Sequence, residues 1–66
     1  MRLTVNGRGW DADRELSVEA LVDTLTTARR GVAVAVNGTV VPRSTWATEQ
    51  LADGDTVEVL TATQGG

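Results

Sequence analysis

The sequence holds no cysteine and no histidine. Without thiols there is no disulfide framework, no thiolate metal site and no nucleophilic sulfur of its own. Without imidazole go the usual general base, the usual zinc ligand and the triad logic of hydrolases, so a self-contained enzyme is not expected. Lysine is missing too: the six basic residues are all arginines, and no side chain offers an amine for acylation or an isopeptide bond. Those arginines are scattered, and nine acids outnumber them to give a net charge of −3, the opposite of a nucleic-acid footprint. No apolar run approaches the length of a membrane span, and Met1-Arg2-Leu3-Thr4-Val5 lacks the apolar stretch of a secretory signal. The expectation is a soluble cytoplasmic protein with neither nucleic acid nor membrane as partner. Aromatics are limited to Trp10 and Trp46. Each is assigned to the core, because so large a side chain dominates a small interior.

What remains must fold by packing alone, and 66 residues suffice for one core only. Residues 2–6 alternate polar and apolar at strand period, with Leu3 and Val5 inward, and Asn6-Gly7 follows as a turn. Residues 8–14, with Trp10, return as a weaker second strand. Ser17 is an N-cap before Val18, Leu21, Val22 and Leu25, an i, i+3, i+4, i+7 stripe. With Glu19 and Asp23 early, Arg29 and Arg30 late and Gly31 as a stop, this spacing predicts a helix over 18–29. Val32-Ala33-Val34-Ala35-Val36 is rich enough in β-branched residues to lie mid-sheet. Asn37-Gly38 turns it into a short strand at Val40-Val41 before Pro42. Residues 44–51 suggest a single helical or 3₁₀ turn. Asp53-Gly54-Asp55 is a turn leading to a closing strand over 56–61, with Val57 and Val59 inward. One main helix packed across a mixed sheet of four or five strands buries every apolar face, an α+β arrangement of the β-grasp, ubiquitin-like type.

Residues 1–61 thus form the expected domain, and 62–66 a flexible tail, Ala62-Thr63-Gln64-Gly65-Gly66, with no packing role. Six residues from Thr61 onward span roughly 20 Å when extended at about 3.3 Å each, enough to enter a partner's active site. Glycine has no Cβ, so such a tail passes a narrow channel and leaves the Gly66 carboxylate unshielded. A carboxylate is a poor acyl donor until its oxygen becomes a leaving group. Adenylation by a partner, then attack by sulfur, would yield a thiocarboxylate on Gly66. The bland alternative is an inert, frayed end.

Val36-Asn37-Gly38, then Val41-Pro42-Arg43-Ser44-Thr45-Trp46, Leu51, Asp53-Gly54-Asp55 and Gly65-Gly66 together resemble the thiamine-biosynthesis sulfur carrier family of the ThiS type, over nearly the whole chain. The resemblance implies a β-grasp carrier that is modified rather than catalytic. Its terminal glycine is adenylated by an E1-like, ThiF-type enzyme, converted to a thiocarboxylate with the help of a sulfur-donating enzyme, and used by a ThiG-type thiazole synthase. By position Gly66 would bear the sulfur and Gly65 would be its spacer; Gln64 receives no specific role. No cofactor motif is present, and ATP, magnesium or zinc would belong to the partners. Carriers for molybdopterin, tRNA thiolation and cysteine synthesis share the fold and the diglycine end, but compact length and the Val-Pro-Arg-x-x-Trp segment favour the thiazole branch. Two further readings are a ubiquitin-like modifier of target lysines and a plain interaction module.

Strand alternation also defines a surface. With Val32, Val34 and Val36 toward the helix, Ala33, Ala35 and Leu60 face outward, a smooth apolar patch beside the tail that suits docking on an adenylating enzyme. Asp11, Asp13 and Glu15 lack the glycine and distal glutamate of a calcium loop and read as a solvated face. Asp53 and Asp55 serve the turn's backbone. Pro42-Arg43 either positions the following turn or offers a guanidinium to a partner carboxylate.

Overall fold

The computed structural model describes residues 1–28 and 30–62. Among them are five strands, β1 (Arg2–Val5), β2 (Arg8–Asp11), β3 (Val32–Val36), β4 (Thr39–Val40) and β5 (Thr56–Thr61), one α-helix, α1 (Val18–Leu25), and a 3₁₀ turn at Arg43–Thr45. The sheet order is β2-β1-β5-β3-β4. Only the β1–β5 pair is parallel; the others are antiparallel. A parallel pair needs a crossover, and here everything from β2 to the 3₁₀ turn lies between β1 and β5 in the chain, with α1 packed on one face of the sheet. This is the β-grasp expected from the sequence.

Both Asn-Gly turns behave as their chemistry requires. Asn6 and Gly7 take φ of 51° and 81°, Asn37 and Gly38 of 51° and 85°. Two successive left-handed residues make the tight hairpin turn whose twist matches the flanking strands. The resulting registers are Val5 opposite Arg8 and Val36 opposite Thr39.

The core joins Leu3 and Val5 of β1, Val34 of β3 and Val57 and Val59 of β5 to Val18, Leu21 and Val22 of α1, with Val41, Trp46 and Leu51 closing one end. Trp46 is buried and donates its indole N–H to the Val41 carbonyl at 2.9 Å, so it meets both demands of a buried tryptophan, apolar surroundings and a partner for nitrogen. Trp10 packs half-buried against the same core. The Arg43 guanidinium lies 5.0 Å from the centre of the Trp46 ring, which favours the local, turn-positioning reading of Pro42-Arg43.

The start of α1 is anchored as its N-cap suggests. The Ser17 hydroxyl accepts from the Ala20 N–H at 3.1 Å. The Val18 and Glu19 amides donate to the carbonyls of Glu49 and Trp46 at 2.9 and 3.1 Å, so the free N–H groups of the first turn find acceptors in the connection after the 3₁₀ turn.

The end of α1 departs from expectation. The helix stops at Leu25, not residue 29, and Thr26 takes extended angles, φ −154° and ψ 151°, while its N–H still bonds Val22. The Thr26 hydroxyl accepts from the Ala28 N–H at 3.0 Å, one of the local side-chain bonds by which threonine competes with helix. Leu25 is therefore 37% exposed, and three residues of the four-residue stripe are buried instead of four. Gly31 is not the helix stop either. It precedes β3, at φ 70°.

Candidate functional site

The face of the sheet away from α1 is set by register. Ala33 lies opposite Leu60, Ala35 opposite Glu58 and, across the β3–β4 hairpin, opposite Val40. Directly paired residues point to the same side, so these five side chains share the open face. Leu60 is 65% exposed, Ala33 exposed and Ala35 half-buried, which brings the three expected patch residues together. Sequence reasoning missed Val40, which is 70% exposed. A signal existed: an Asn-Gly hairpin fixes register, and the register puts Val40 beside Ala35. Glu58 adds one acid to an otherwise apolar strip. Toward the far edge of the same face, Arg2 and Asp11 form an ion pair at 3.0 Å with both side chains largely exposed.

The strip leads to the tail. The last β3–β5 pair is Val32 with Thr61, and the Ala62 N–H then donates to the Gly31 carbonyl at 2.6 Å. The first residue of the expected tail is thus hydrogen-bonded to the domain. Gln64, Gly65 and Gly66, the residues expected to carry the chemistry, lie outside the described residues.

Asp53 and Asp55 have structural tasks. One Asp55 oxygen accepts from the Asn37 amide at 2.9 Å and the other from the Ala52 N–H at 2.8 Å. Asp53 accepts from the Arg2 N–H at 2.7 Å, and the Gly54 N–H, in a residue at φ 90°, donates to the Arg2 carbonyl at 2.7 Å. The Asp-Gly-Asp turn is therefore a clasp between the start of β5 and the start of β1. An open groove of about 450 Å³ beside the second Asn-Gly turn includes Glu49 and Asp55, but Asp55 already has both oxygens engaged. No helix among the described residues is long and apolar enough to cross a membrane.

Residues 3–66 match the model of the ThiS family. A thiazole synthase from Paramagnetospirillum magneticum (strain ATCC 700264 / AMB-1) is 36% identical over all 66 residues, and the chain spans 20% of that protein's length. The sulfur carrier protein ThiS of Escherichia coli (strain K12) is 29% identical over 66 residues, the full length of both chains. A crystal structure of thiamine biosynthesis protein ThiS from Geobacter metallireducens superposes with a TM-score of 0.81 at 38% identity, covering all of both chains. An NMR solution structure of a thiamine biosynthesis protein from the same organism gives 0.83 at 38% identity, covering all of this chain and 88% of that one. With the family model matching residues 3–66 and a solved ThiS structure superposing over the whole chain, the chain belongs to the ThiS family, the sulfur carriers of thiamine biosynthesis.

Proposed function

We propose that the chain carries sulfur as a thiocarboxylate on Gly66, with Gly65 and Gln64 as the slender approach to it. A ThiF-type enzyme joins the Gly66 carboxylate to the α-phosphate of ATP, releasing pyrophosphate. A sulfur nucleophile supplied by a donor enzyme then attacks the acyl carbon and displaces AMP. The carrier contributes the acyl carbon and no catalytic group, which agrees with a chain lacking histidine, cysteine and lysine. The observation that carries the reading is the run of β5 into Ala62 beside an exposed apolar strip, which would let one docking event bring both the surface and the tail to a partner.

Leu60, Ala33 and Ala35, extended by Val40, are the proposed docking patch for the adenylating enzyme. A thiazole synthase of the ThiG type is the proposed recipient, supported by the likeness of this chain to one fifth of a protein bearing that name. The cytoplasm, where ATP is at hand, is the proposed setting. ATP–pyrophosphate exchange by a ThiF-type enzyme tests the activation step. The full chain is expected to support exchange and a chain lacking Gly66 to support none; equal exchange with both would overturn the assignment of Gly66.

A further inference from the structure

Four glycines among the described residues have positive φ: Gly7, Gly31, Gly38 and Gly54. At Gly7, Gly38 and Gly54 an added Cβ would meet nothing within 4 Å, so those three answer to turn geometry alone. Gly31 differs. A Cβ there would stand 2.8 Å from the Ala62 Cβ, closer than two such carbons can sit, and the Gly31 carbonyl is the acceptor for the Ala62 N–H. The left-handed backbone and the missing side chain let the segment before β3 reach the chain one residue past the end of β5.

We infer that Gly31 is a positioning residue for the chemistry at Gly66: by holding Ala62 it fixes the point and the direction in which the tail leaves the domain. The inference rests on the proposed carrier role of that tail. With Ala62 held, residues 63–66 are left to reach the partner's active site, roughly 13 Å when extended at about 3.3 Å each. Freeing Ala62 adds about 3 Å of chain and removes the fixed direction. An enzyme that binds the outer face of the sheet meets the carboxylate at a distance set by this anchor. A misplaced acyl group lowers turnover rather than affinity, since docking is made elsewhere.

Two variants remove the anchor from opposite sides. Gly31→Asn keeps a residue type that tolerates positive φ but adds the Cβ that meets Ala62. Ala62→Pro leaves Gly31 alone and removes the donated N–H. Each is expected to lower kcat for adenylation by a ThiF-type enzyme about tenfold with KM unchanged, and to speed amide exchange at the end of β5, read at Ala62 in the first variant and in the second at Leu60, which faces Ala33 of β3, while Val34 and Val57 stay protected. Adding Ala62→Gly to Gly31→Asn deletes the opposing methyl and is expected to restore both kcat and protection. Full kcat in both anchor variants despite lost protection would overturn the inference, as would an unprotected Ala62 amide in the unaltered chain or a loss of kcat that Ala62→Gly fails to restore. Failure of the unaltered chain to be adenylated would instead overturn the carrier reading, and the inference with it.

Discussion

The first half of β5 is gripped from both sides, whereas Leu60 and Thr61 at its far end pair, among the described residues, with β3 only. Thr56 and Val57 lie between β1 and β3, and two asparagine side chains extend the grip. The Asn37 carbonyl oxygen accepts from the Thr56 N–H at 2.9 Å. The Asn6 amide bonds both backbone groups of Val59, accepting at 2.8 Å and donating at 3.2 Å, in effect prolonging the β1 ladder where β1 itself turns away. Past Val59 this support ends, and an open groove of about 260 Å³ lies between the end of α1 and β5, lined in part by Leu25, Thr26 and Thr61. The same strand is a fixed central element at its root and a one-sided edge where it hands the chain to the tail. Stability is thus concentrated at one end of β5, and the exposed Leu60 with the exit toward the proposed tail lies at the other.

Substitutions along β5 test that contrast. The largest loss of stability is expected at the root: Val57, fully buried, changed to Ala should cost about 2–4 kcal/mol in denaturant unfolding, the transfer term plus the cavity. Asn6→Gly, which keeps the left-handed turn but strands a half-buried N–H and C=O of Val59, should cost about 1–3 kcal/mol, with faster amide exchange at Val59. A loss in that range at Val57 but none at Asn6 would mean that the side-chain clamp does not hold the strand. At the tip, Leu60→Glu should change stability by less than about 0.5 kcal/mol yet slow adenylation by a ThiF-type enzyme. Unchanged kinetics would remove the outer strip from the docking surface.

The strands were legible because their signals are local. Alternation gave the inward faces of β1, β3 and β5, and each Asn-Gly pair gave a hairpin. The helix start was equally plain in Ser17 and the apolar stripe. Its end was not, because Thr26 closes it through its own hydroxyl and extended backbone, while the arginines and glycine beyond suggested a longer run. Gly31 was misread for a deeper reason: its neighbour is Ala62, thirty-one positions away, and no local pattern announces that contact. Likewise Asn6 was readable as a turn former but not as the clamp on Val59, a bond across 53 positions. Of the candidate site, the exposure of Ala33 and Leu60 followed from alternation, and Val40 would have followed had the hairpin register been carried one residue further.

The central claim is that sulfur rides on Gly66. The most direct test is the intact mass of the chain after incubation with a ThiF-type enzyme, ATP and a sulfur donor, followed by fragmentation from the C-terminus. The account predicts a gain equal to the exchange of one oxygen for sulfur, confined to the fragment that ends in Gly66. An unchanged mass beside a second carrier that the same enzyme does convert, or a sulfur found on any other residue, would contradict it.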